Sequence, residues 1–186
     1  EFAEGIGKIY MDYYHPEAET FDYADFSESK AWDEYATLAR ALTQFQPETL
    51  RHRKQQLAFW LNVYNMLMIH GTIAHEIKRS VQNDKAFFHH TQYGIGEHIF
   101  NLDDIEHGIL RGNAKKYHGL TPLFGKKDPR LALAIHIPDP RVHFALYSAC
   151  KSSAHWNVYY PETIDEQLNS AVRAMLRRDL IVGAGG

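Results

Sequence analysis

The sequence predicts an α+β fold in which helices pack on a small antiparallel β-sheet with a central hairpin. Three observations carry that expectation. "QPETLRHRKQQLAFWLNVYNMLMIHG" has the apolar spacing of a long helix. "LALAIHI" and "RVHFALY" are short apolar runs joined by "PDP", the pattern of two paired strands buried on both faces. "TIDEQLNSAVRAMLRRD" opens with Thr163 and Glu166 spaced as a capping box and continues with a helical stripe.

Taken in order, residues 1–29 lack a clean period and are rich in aromatic and acidic side chains. They are expected to form an irregular N-terminal arm that packs its aromatics on a single globular domain spanning 30–186. Ser29 is positioned to cap a helix carrying Trp32, Tyr35, Leu38, Ala39 and Leu42 on one face. The central helix is expected from about residue 47, with Pro47 in its first turn, to the low seventies, where Gly71 bends or ends it. Residues 80–100 read as a long excursion punctuated by Gly94 and Gly96. In "NLDDIEHGILRG", Asn101 is the cap, Asp103 and Asp104 sit at the positive end, Arg111 lies in the last turn and Gly112 closes it. The terminal helix carries Ile164, Leu168, Ala171, Val172 and Met175 inward.

With 186 residues and 45% hydrophobic content, the chain is long enough for one real core. A net charge of −3 and the lack of any basic block argue against a nucleic-acid partner. No apolar run reaches the length of a membrane span. The N-terminus is not a signal peptide, although a leader removed earlier would leave no trace. One cysteine, Cys150, forms no disulfide within the chain and supplies no cysteine-based zinc site. A cytoplasmic location is the default, with a secreted mature chain still open.

Several polar residues stand in stretches that otherwise read as core. Asn62 and Asn65, three apart, share a helix face; they either tie down a neighbouring loop or orient a substrate. His70 lies about 140° from Asn65 on an ideal helix and shares their surface only loosely. His107 and Arg111 share a face, with Glu106 between that face and the core. In "RVHFALY", strand alternation groups Arg141, His143, Ala145 and Tyr147 and sends Ser148 to the other side. Arg141 beside His143 would favour a neutral imidazole. "HGTIAHE" does not match H-E-x-x-H, and no P-loop, nucleophile elbow or dinucleotide fingerprint is present.

"FWLNVYNMLMIHG", "YGIGEHIFNLDDIEHGILRG", "DPRVHFALYSACKSS" and "YYPETIDEQL", in that order, resemble the DUF547 family. Members of that family look like relatives of papain-like or transglutaminase-like thiol enzymes. The resemblance implies Cys-Gly at the second and third positions after "HFAL", and often a further cysteine before a proline. Those cysteine positions fall on Ser148 and Ser153, and the proline position on Ala154, while Cys150 falls on a variable position. The resemblance also implies a further strand beyond "IVGAGG".

A thiol nucleophile is therefore not expected. The candidate catalytic residues are His143, His107, Glu106, His70 and Ser148. The candidate substrate-binding residues are Asn62, Tyr64, Asn65, Arg111 and Arg141. The enzyme reading is a hydrolase or acyl or amide transferase using histidine acid–base chemistry. The alternatives are a non-catalytic module for a small molecule, peptide or protein, whose surface the Tyr, Phe and Trp content suits, and a metal enzyme. No cofactor is expected on the first reading; on the last, His70, Glu106, His107 and His143 would hold a divalent metal.

Overall fold

In a computed structural model the chain is described at residues 2–77, 81, 86–115, 121–149 and 154–184, with side chains to Arg178. Its centre is a helix, α4 (Arg53–Ala74), with Leu57, Trp60, Leu61, Val63, Tyr64, Met66, Leu67, Met68 and Ile69 all buried. A helix that is apolar on every side belongs inside a core. Around α4 pack α1 (Phe2–Tyr13), α2 (Tyr23–Glu28), α6 (Ile164–Ala184) and a π-helix (Asp104–Leu110). The order is completed by β1 (Tyr14–His15), β2 (Thr20–Phe21), α3 (Lys30–Ala41), α5 (Phe87–His90), β3 (Gln92–Ile95) and β4 (His98–Asn101). The strands form two antiparallel pairs, β1–β2 and β3–β4, so the class is α+β as expected. Among the described residues no helix is long and apolar enough to cross a membrane.

Residues 2–28 are not irregular. Helix α1 buries Ile6 and Ile9, and Phe21 and Phe26 join the same apolar cluster as α4. The central helix starts later than its proline suggested. Pro47–Thr49 is a separate 3-10 turn, and His52 caps α4 with Gln55 in return. Gly71 does not end it, since α4 runs on to Ala74; Thr91 and Phe87 pack too close to that position for a side chain. Ser29 holds the cap position of α3, but its hydroxyl donates back to the Phe26 carbonyl at 2.8 Å.

The expected hairpin at 131–147 is absent, and the observed one lies in the stretch read as an excursion. Tyr93 pairs with Phe100 and Ile95 with His98 across β3–β4, and Gly96 at φ +57° fills the first position of the turn. The two apolar runs instead open with short 3-10 helices, Pro129–Leu133 and Pro140–Phe144. The reason is local. Asp128 and Asp139 each accept from the main-chain N–H two residues on, with proline at the first helical position. Arg130 and Arg141 then fold back onto the same carboxylates, Nε to Oδ1 at 3.1 and 2.9 Å. Arg141 continues to Asp165 at 2.9 Å, tying this turn to the start of α6. At that start, Thr163 bonds Gln167 rather than Glu166, and Gln167 reaches back to the Val158 carbonyl at 2.6 Å.

Asn62 and Asn65 do the work of a missing strand. Asn62 donates to the Tyr159 carbonyl and accepts from the Tyr159 N–H, both at 2.8 Å. Asn65 donates to the Ala145 carbonyl at 3.1 Å and accepts from the Tyr147 N–H at 2.9 Å. All four groups are buried. Asn62→Ala would strand a donor and an acceptor, so it is expected to cost about 3 kcal/mol. Urea denaturation would read this as a lower midpoint at unchanged slope, and a midpoint equal to wild type would contradict it.

Candidate functional site

The π-helix carries most of the polar residues that the sequence singles out. Asn101 and Asp104 cap it reciprocally, with Asp104 N–H to Asn101 Oδ1 at 2.8 Å and Asn101 N–H to Asp104 Oδ2 at 3.1 Å. The wide turn shows in the Arg111 N–H bond to the Glu106 carbonyl, five residues back, at 2.9 Å. Gly112 at φ +62° then closes the element, where the Ile135 carbonyl leaves no room for a side chain.

Side chains four apart line up along this element as a row. Arg111 Nη1 lies 2.7 Å from His107 Nδ1, and both Arg111 Nη1 and His107 Nδ1 lie near Glu106 Oε1, at 4.0 and 3.8 Å. A guanidinium only donates, so His107 Nδ1 must accept and its proton sits on Nε2. That Nε2 faces Asp103 Oδ1 at 3.7 Å. The other Asp103 oxygen lies 3.2 Å from Nε2 of His89, at the end of α5. Asp103 and His107 are buried, while His89 is about half exposed. Beneath the row, Tyr64 of α4 is fully buried; burial first, then the Glu106 and Asp103 carboxylates, push its phenol well up.

His143 lies within reach of the Arg111 charge. It lies in the 3-10 helix that replaces the expected strand, so strand alternation no longer sets which way it faces. The residue is exposed overall, yet partial burial of its ring, and secondly the Arg111 charge, pull its imidazole below the ordinary value. The neutralising cation is thus Arg111, not the sequence neighbour Arg141. Ala145 and Tyr147, grouped with it on the strand reading, are buried.

Other expected members lie elsewhere. His70 Nδ1 bonds the Tyr93 hydroxyl at 2.9 Å, and its ring packs against Trp32 and Tyr35. It lines a cavity with His75, His90 and Tyr93, which none of Glu106, His107 and His143 reaches. Asn62 and Asn65 have both ends of their carboxamides on main chain, and Arg141 is committed to Asp139 and Asp165. Ser148 is half-buried, between Tyr147 and Ala149, and Ala149 takes φ +50° where the family resemblance implies glycine. Cys150 and Ser153 lie outside the described residues. Among the described residues no three of His, Cys, Asp and Glu are placed to hold a metal, so the expected four-residue metal set is not assembled. His89 and Asp103 were not among the expected site residues. The two histidines in "AFFHH" are their only sequence signal, since nothing in the spacing pairs them with residue 103.

An α+β domain with a histidine–carboxylate–arginine row on a π-helix is the class these features define. The chain belongs to the DUF547 family, whose model, "Protein of unknown function, DUF547", matches residues 47–176. No curated protein and no solved structure matches the chain.

The His143 environment has a measurable consequence. Its folded proton affinity is below the unfolded value near 6.5, so protonation costs stability. The penalty is absent above that pH, grows as pH falls through it, and is complete below the folded midpoint. His70 is shifted the same way, mainly by burial. Titration of the His143 ring by NMR should show a midpoint below the ordinary one, and Arg111→Met should raise it part of the way back. A midpoint unmoved by Arg111→Met would mean that Arg111 does not act on His143.

Proposed function

We propose that this domain is a hydrolase or an acyl or amide transferase in which His143 moves the proton and Arg111 stabilises negative charge. One observation carries the reading: an exposed imidazole kept neutral sits within the field of a guanidinium that Glu106 and His107 hold in place. A neutral imidazole can take a proton from water, or from a substrate hydroxyl, as that oxygen attacks an acyl carbon. The carbonyl oxygen gains negative charge, which Arg111 offsets. His143 then returns the proton to the leaving group as the acyl bond breaks. Asp103 fixes the His107 tautomer and thereby the Arg111 contact, which makes both of them positioning residues.

Ser148, at the family's cysteine position, offers no thiolate, and a serine hydroxyl needs a strong adjacent base to act. The nucleophile in this reading is therefore water or the acceptor substrate. A non-catalytic module that binds a small molecule or peptide is the second reading. It is favoured by His107, whose two nitrogens are flanked by Arg111 and Asp103 and which can serve the fold alone.

The test is hydrolysis of p-nitrophenyl acetate and of a panel of peptide amides. Turnover should rise with pH through the His143 midpoint and fall by about 100-fold or more in His143→Gln. Arg111→Met should lower kcat more than it raises KM, because its charge acts on the transition state. Turnover that is absent, or equal in His143→Gln, rejects catalysis and leaves the binding module.

A further inference from the structure

Helices α1 and α3 leave a cleft of about 250 Å3 between them. Among the described residues its lining comes from these two helices alone. The floor is apolar and fixed. Ile9 and Tyr35 are buried and Leu38 is half-buried. The Tyr35 ring packs against those of Phe26, Trp32 and His70, at 6.1, 5.6 and 5.7 Å between centroids, so it does not swing aside. Burial pushes its phenol well up, which keeps the floor uncharged. At one end the helices touch. A Cβ on Gly5 would stand 2.7 Å from Leu38 Cδ2, so the glycine lets α1 close the cleft there.

The rim carries both signs of charge. Lys8, Asp12 and Glu34 line the cleft, are exposed, and make no ion pair among the described residues. Lys8 and Asp12 are four apart on α1, but the cation precedes the acid, the weaker order for such a pair. Glu34 projects from the other helix. The remaining charges on the two helices, Glu4, Lys30, Asp33 and Arg40, are balanced in sign and do not line the cleft. One ammonium and two carboxylates thus stand over a single apolar floor without neutralising one another. A simple anion would meet the two carboxylates, and a simple cation would meet the ammonium. A small molecule that carries both charges and an apolar group complements all of them at once. The volume is below the roughly 300–1,000 Å3 of sites for drug-sized ligands, which restricts the occupant to a smaller molecule.

We infer that the α1–α3 cleft binds a free α-amino acid with an apolar side chain. Its ammonium faces Asp12 and Glu34, its carboxylate faces Lys8, and its side chain covers Ile9, Tyr35 and Leu38. The cleft shares no residue with the proton chemistry assigned to His143.

The test uses the whole chain and L-leucine as probe, read by saturation transfer to the leucine methyl groups and by calorimetry. Isocaproate lacks the ammonium, isoamylamine lacks the carboxylate, and glycine lacks the side chain. Saturable leucine binding is expected, at least about 5-fold tighter than either single-charge analogue and about 10-fold tighter than glycine. Lys8→Gln and Glu34→Gln alter exposed, unpaired side chains and should fold normally. Each is expected to weaken leucine about 3-fold. Lys8→Gln should not weaken isoamylamine, and Glu34→Gln should not weaken isocaproate. No saturable leucine binding, equal binding of leucine and any of the three analogues, or leucine binding unchanged in either variant overturns the assignment. None of these readouts depends on turnover, so this inference and the catalytic one fail separately.

Discussion

Two carboxamides inside an apolar helix hold this structure together. The chain at 145–147 and at 158–159 runs alongside α4 without a strand to pair with. Its buried main-chain groups would otherwise lack partners at a cost of about 1–3 kcal/mol each. Asn62 and Asn65 present a donor and an acceptor side by side, as an adjoining strand would. Position follows from that. His143 lies just before the segment that Asn65 grips, and Tyr147 and Ser148 lie in it or just after. A helix as apolar as α4 has no other means of fixing an irregular segment in direction and register, because apolar packing is non-directional.

The parts of the fold legible in the sequence were those governed by short-range chemistry with one solution. The length and apolarity of α4, the Asn101 cap and the Gly112 closure all depend on residues within a turn of one another. The failures have a common origin. "DPR" occurs twice, at 128–130 and 139–141, and each time the aspartate caps a 3-10 turn while the arginine folds back on it. The apolar runs that follow read as strands because hydrophobicity was weighed and their start signal was not. A cap and a proline at the first position outweigh β-propensity when no sheet is present to reward extension. The β3–β4 pair was missed for the opposite reason. Its four-residue strands alternate weakly, and only Gly96 marks the turn.

The candidate site was half legible. Glu106, His107 and Arg111 were visible as near neighbours on one short element, and the structure assembles them. His70 was not separable from them by spacing, since six residues of helix beyond Tyr64 can point either way. Trp32, Tyr35 and Tyr93, from three distant parts of the chain, claim it. His89 and Asp103 were hidden because their contact joins elements whose relative placement depends on the β3–β4 hairpin. Pairings of that kind are set by tertiary packing, and one sequence carries no record of them.

Helices α2 and α4 meet in the segment 143–147. Its first residue is the exposed imidazole within reach of the Arg111 charge, its middle is clamped by Asn65, and its last residue bonds Tyr23. The Tyr147 hydroxyl faces Tyr23 of α2, whereas its N–H is held from α4. One residue is thus anchored from both sides at once. Its two bonds act at opposite ends of the same side chain and backbone unit, so neither helix can shift without loading the other. Close packing transmits such displacements because the interior has little free volume to absorb them.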